Sequence, residues 1–131
     1  MKVLVDSHCY LWAKMDDPRL SRKARSILRS DEHELFFSMT SLWEISINIR
    51  LGRLRTLTST VAYIHDSLLE EGFAILPFRY EDIITLEQLP QLPDHRDPFD
   101  RMMIAQAINH HLVLLTNDAK VKLYPHLKTI W

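Results

Sequence analysis

The chain has 131 residues, 47% of them apolar and 25% charged, enough for one domain (1–131) with a genuine core and too apolar for intrinsic disorder. A formal net charge of −1 excludes a uniformly basic nucleic-acid binder, and two glycines are too few for a Gly-rich phosphate loop. The lone Cys9 cannot form an internal disulfide, and the apolar run before Asp6 is too short for a signal peptide or a membrane span. Cytoplasmic residence away from membranes is the resulting expectation.

In chain order, short continuous apolar runs at 3–5, 35–37, 74–76 and 112–115, with a weaker one at 129–131, read as buried strands. Between them lie helices. One spans 21–29, with Ser21 as its N-cap. A second spans 41–51 and stops at Gly52. A third spans 61–71 and stops at Gly72, and a fourth, amphipathic, spans 80–88. Pro90 and Pro93 make 89–95 a loop. Asp97-Pro98 opens the last long helix, with proline at its first position. Strands alternating with helices imply an α/β domain around a mainly parallel sheet flanked by helices.

In such a sheet, ligands bind beyond the carboxyl ends of the strands. Asp6 follows the first strand, Glu44 is expected in the first turn of the helix after the second, Asp100 opens the helix leading to the fourth, and Asp118 follows that strand. Carboxylates gathered there repel one another unless a cation joins them, and oxygen ligands without any Cys/His spacing suit Mg²⁺ or Mn²⁺. A carboxylate-held metal pair is a standard device for phosphodiester hydrolysis. On the same reasoning, neutralising Asp6 is expected to leave the metal-free fold as stable or more so.

Each acid also has a plainer reading. Glu44 fits a capping box with Ser41, Asp97 an N-cap, Asp100 the helix dipole, and Asp118 a cap on a short following helix. Ser7 and Thr116 are hydroxyls beside Asp6 and Asp118, suited to orienting carboxylates. His8 and His95, both near the proposed site, read as hydrogen-bonded structural residues rather than phosphate contacts, His110-His111 as a helix C-terminal cap, and Cys9 as packing. Tyr10, Leu11, Trp12 and Trp43 read as core rather than as base-stacking platforms. The arginines from Arg19 to Arg29, and Arg50, Arg53 and Arg55, read as solvated helix faces that can touch phosphates.

These residues carry a resemblance. Val3-Leu4-Val5-Asp6-Ser7-His8 with Leu11-Trp12, then Ser41-Leu42-Trp43-Glu44-Ile45, then His95-Arg96-Asp97-Pro98-Phe99-Asp100-Arg101 with Ile104-Ala105-Gln106-Ala107, and finally Leu114-Leu115-Thr116-Asn117-Asp118 with Tyr124, follow in the order and spacing of a known family. The chain resembles the PIN-domain toxins, the VapC-like ribonucleases of type II toxin–antitoxin systems. The resemblance implies a PIN-like three-layer sandwich and RNA cleavage dependent on Mg²⁺ or Mn²⁺. It implies catalytic and metal-binding roles for Asp6, Glu44, Asp100 and Asp118, with Asp97 auxiliary. It also implies a homodimer neutralised by a small antitoxin that threads into the active-site groove. Ser7 stands where relatives usually have Thr, and Asn48 where they often have Lys.

Three other readings compete with this one. A non-catalytic PIN-type RNA- or protein-binding module is disfavoured because all four acids are present. An aspartyl-phosphate or receiver domain would need a paired acid near the first strand and a Lys after a late one. A DNA-directed nuclease would need the same acids.

Overall fold

The computed structural model describes residues 1–54 and 59–131; Arg55, part of the second basic cluster, lies outside them. The chain runs through β1 (Lys2–Val5), α1 (Ser7–Lys14), α2 (Arg22–Arg29), β2 (Glu34–Ser38), α3 (Met39–Arg50), α4 (Val61–Glu70), β3 (Ala74–Leu76), α5 (Tyr80–Gln88), α6 (Pro98–Asn109), β4 (Val113–Leu115), a 3₁₀ turn at Val121–Leu123, and β5 (Lys128–Ile130). The five strands form one sheet in the order β3-β2-β1-β4-β5, and every pairing is parallel.

Alternation along each strand sorts side chains into two cores. Val3, Val5, Leu35, Phe37 and Leu115 face α1 to α4, where they meet Tyr10, Ala24, Ile27, Ile45 and Leu68. Leu4 and Leu114 face the other way, onto Leu89, Met103, Ile104 and Ala107 of α5, α6 and their loop. Helices therefore cover both faces, giving three layers. This is why the strands read as unbroken apolar runs. Gly52 and Gly72, with φ of +70° and +85°, end α3 and α4 in the left-handed conformation that glycine adopts without steric cost.

Three features depart from the sequence reading. The segment after Asp6 is a helix, α1, with Asp6 as its N-cap accepting from the His8 amide at 3.1 Å. Helix α3 begins at Met39, capped by Ser38 through the Thr40 amide, so Ser41 caps nothing and Glu44 lies beyond the first turn. Strand β4 starts at Val113, not Leu112, and β5 stops before Trp131. The loop at 89–95 and the Asp97-Pro98 helix start stand as read. Among the described residues, no helix is long and apolar enough to cross a membrane.

The strand order sets the location of a site. From β1 the chain builds outward to β2 and β3 on one side, and later to β4 and β5 on the other. In open sheets of this kind the ligand crevice lies beyond the carboxyl ends of the strands where that direction reverses, here β1 and β4.

Candidate active site

Asp6 and Thr116 leave β1 and β4 side by side at that crevice. The Thr116 hydroxyl donates to Asp6 Oδ2 at 2.8 Å and accepts from the Asp118 amide at 3.2 Å. Thr116 thus ties the first acid to the loop that carries the last one. Asp118 in turn accepts from the Lys120 amide at 2.9 Å, an Asx-type turn that starts the descent to the 3₁₀ element. The buried Ser7 hydroxyl lies 3.2 Å from Glu44 Oε1 and 3.5 Å from Asp6 Oδ1, joining α3 to α1. Both hydroxyls therefore orient carboxylates.

Asp97 caps α6, its Oδ1 accepting from the amides of Phe99 at 2.8 Å and Asp100 at 3.1 Å. With the cap assigned to Asp97, the Asp100 side chain is free to point inward. It sits at the centre of the acids. Carboxylate oxygens of Glu44, Asp97 and Asp100 lie within 4.8 Å of one another, and so do ligand atoms of His95, Asp100 and Asp118. Asp100 is common to both groups. The structure thus brings Glu44, Asp97, Asp100, Asp118 and His95 together, while Asp6 stands beside them at the root of β1.

The electrostatics follow. Burial and then the charges of Asp97, Asp6, Glu44 and Asp118 push the Asp100 carboxyl up to about 7. Burial, followed by the Asp97 charge, raises Glu44 as well, against the Ser7 hydrogen bond. Asp6 goes the other way. Burial opposes its charge, but the His8 imidazole, the Thr116 hydroxyl and the His8 amide outweigh it and hold Asp6 below the ordinary aspartate value. The sequence-based expectation that Asp6 is the crowded, repelled carboxylate therefore belongs to Asp100.

His8, a hydrogen-bonded structural residue in the sequence reading, is indeed bonded to Asp6 and also stands at the site. Its Nδ1 lies 3.4 Å from Asp6 Oδ1. The bond to Asp6, opposed by burial and supported by the charges of Asp6, Glu44 and Asp100, raises it to about 9. At neutral pH it is a cation on the rim of the acid cluster. The only signal in sequence was its place two residues after Asp6. His95 was also read as structural, and it is buried against the site. Trp43 was read as core, yet it is 62% exposed, beside Glu44, with its ring 5.0 Å from that of Phe99. Tyr10 and Leu11 are core as read, and Trp12 is partly buried against it.

The other motifs have local roles. Arg19 makes a bidentate pair with Asp17, and Arg25 pairs with Asp16 at 2.7 Å. His110 caps α6 as expected and also bonds the fully buried Asp82 of α5 at 2.9 Å.

Asp97 supplies the leading charge felt by both Glu44 and Asp100, and the cap of α6 as well. Asp97→Ser separates these roles, since serine caps about equally well. We expect α6 to keep its stability within about 0.5 kcal/mol. We expect the Asp100 carboxyl to fall toward its ordinary value by carbon-13 NMR titration, with substantial cleavage retained. A folded Asp97→Ser protein as inactive as Asp100→Ser at saturating metal would make Asp97 a direct ligand.

Among curated proteins, none matches the chain. Solved structures do. VapBC2 from Rickettsia felis, bound to a DNA fragment from their promoter, matches at TM-score 0.72 and 17% identity, covering 99% of this chain and 98% of that one. The DNA-bound VapBC from Salmonella typhimurium matches at TM-score 0.67 and 17% identity, covering 99% and 97%. FitAcB from Neisseria gonorrhoeae matches at TM-score 0.66 and 17% identity, covering 98% and 96%. At that identity the likeness concerns the fold. The PIN domain family model matches residues 3–127, nearly the whole chain, and the protein belongs to the PIN-domain family.

Proposed function

We propose that this chain, as a single PIN domain over 1–131, is an endoribonuclease dependent on Mg²⁺ or Mn²⁺ and the toxin of a type II toxin–antitoxin system. The observation that carries the reading is the convergence of four separate acids on Asp100, whose carboxyl is pushed up to about 7 by burial and then by their charges. Such crowding is costly with no compensating cation. The donor set is oxygen-rich, which fits a hard divalent ion. Asp6, Glu44, Asp100 and Asp118 would hold it, with Asp97 at the margin. A divalent ion held there supplies Lewis acidity and charge neutralisation for phosphodiester hydrolysis.

The chain's own residues prepare that site. Thr116 and His8 keep Asp6 ionised, Ser7 steers Glu44, and the Asp97 cap aims Asp100 inward. The cationic His8 offers the approaching phosphate backbone a positive contact beside an otherwise acidic floor. The test is cleavage of a labelled single-stranded RNA with Mg²⁺ or Mn²⁺ present and in excess EDTA, with the matching DNA oligonucleotide alongside. Cleavage is expected with either ion, none with chelator. Undiminished cutting in EDTA sinks the metal requirement.

Two partners belong to the same proposal. The motif resemblance to VapC-like toxins and the likeness to VapBC complexes support a small antitoxin covering the acidic groove. A homodimer is supported by an apolar cleft of about 390 Å³ lined by the exposed Met39 and Trp43 of α3 and Phe78, with Leu86, Phe99 and Met102 beneath. Light scattering should give twice the chain mass for the free protein, and expression with its neighbouring reading frame should yield a co-purifying small protein. A monomer at micromolar concentration removes the first, and a lone active species from the operon removes the second.

A further inference from the structure

Behind Asp100 lies a buried polar chain that the acid cluster does not by itself require. Tyr124, 3% exposed, has its hydroxyl 2.9 Å from Arg101 Nη1 and 2.7 Å from His95 Nδ1. Arg101 Nη1 also donates to the Pro90 carbonyl at 3.0 Å, anchoring the 89–95 loop. His95 is 5% exposed, and its Nε2 stands 3.3 Å from Asp100 Oδ2. That approach is at ion-pair distance but short of hydrogen-bond alignment, so Nε2 is a buried polar atom with no completed partner, aimed at the site.

The donors favour one direction for this chain. A guanidinium has no lone pair, so Arg101 donates to the Tyr124 oxygen. The hydroxyl has a single proton, which is then free to point at His95 Nδ1. When Nδ1 accepts that proton, the ring carries its own N–H on Nε2. That nitrogen lies 3.3 Å from Asp100 Oδ2, so a small turn of either side chain would align the N–H with it.

We propose that His95 is a positioning residue, held in the Nε2–H tautomer by Arg101 and Tyr124 so that it steadies one oxygen of Asp100 and leaves the other to the acid cluster. Nε2 is then a donor to a carboxylate and not itself a cation ligand, although it lies within reach of Asp100 and Asp118. The inference rests on the proposed function only in taking Asp100 as a working carboxylate. Partners of this kind alter metal affinity by about 10- to 100-fold when removed.

Nitrogen-15 long-range NMR on the full chain with labelled histidine reads the tautomer directly, without RNA. We expect His95 to show Nε2–H both without metal and with Mg²⁺ added. Tyr124→Phe should shift the population toward Nδ1–H and weaken Mn²⁺ binding about tenfold by titration calorimetry. His95→Gln, whose amide nitrogen reaches the Nε2 position, should bind Mn²⁺ nearly as the parent does, whereas His95→Asn should lose about tenfold. An Nδ1–H or doubly protonated ring in the parent protein, loss of the Nε2 proton on adding Mg²⁺, or equal weakening in folded Gln and Asn variants would each overturn the proposal. Absence of RNA cleavage with the tautomer pattern intact would overturn the nuclease reading alone.

Discussion

Asp100→Asn is expected to abolish RNA cleavage, by about three orders of magnitude, and at the same time to make the metal-free protein more stable at neutral pH. The activity loss is on the scale seen when a principal charge-organising group is removed from a hydrolytic site. The gain in stability comes from the burial and crowding of this carboxyl. With its carboxyl raised to about 7, Asp100 binds its proton more tightly in the folded protein than in the unfolded chain. Between the ordinary aspartate value of about 4 and that raised value, the folded state holds the extra proton. Metal-free stability therefore falls as pH rises through this window, and the penalty is full above it. Asparagine removes the slope. Melting curves in EDTA should show the parent losing ground to Asp100→Asn between about pH 5 and pH 8, and Mg²⁺ should restore the parent at the upper end. A variant that melts below the parent at pH 8 without metal would mean that Asp100 is held by favourable contacts and is not crowded.

Asp6→Asn should abolish cleavage to a similar degree, with the opposite effect on stability. Its carboxylate is buried yet held below the ordinary range by the His8 imidazole, the Thr116 hydroxyl and the His8 amide. An asparagine keeps one acceptor but turns an amide donor toward a Thr116 hydroxyl that already accepts from Asp118. Loss of a hydrogen bond to a buried charged group costs about 1–3 kcal/mol. Because the folded value is depressed, this contribution is present above the unfolded value and is lost as pH falls through the folded one. Denaturant melts at pH 7 without metal should therefore place Asp6→Asn below the parent, and acid should close the gap. The two variants together test the assignment: equal signs at pH 7 would mean that the division into a held and a crowded carboxylate is wrong.

Much of this arrangement was legible in the sequence because parallel strands buried on both faces leave unbroken apolar runs, and acids directly after such runs have few structural reasons to be there. The Asp97 cap was legible too, since proline at the next position fixes the backbone. Helix α1 was not. Ser7–Lys14 contains Cys9, Tyr10 and Trp12, which favour a helix weakly, and it begins one residue after a strand. The start of α3 was hidden because the apolar run of β2 passes through Ser38 into Met39 without a break. Trp43 looked like core because an aromatic at helical spacing usually is, and nothing local shows which side of α3 faces solvent. The roles of His95 and Tyr124 depend on a contact across 29 positions, which no local pattern encodes.

The pairing of β1 with β4 has a consequence in time. Val3 sits in register with Val113, and Thr116 reaches back to Asp6 across 110 positions. At synthesis rates of about 5–20 residues per second, the central strand waits roughly 5–20 seconds for its second neighbour. For most of that interval Asp6 and Glu44 exist without Asp100 or Asp118, so the growing chain carries half of the four acids and lacks the β4 pairing that gathers them. Under the proposed function, a ribosome-bound fragment therefore lacks the acids needed to cut RNA, and cleavage would await synthesis of nearly the whole chain.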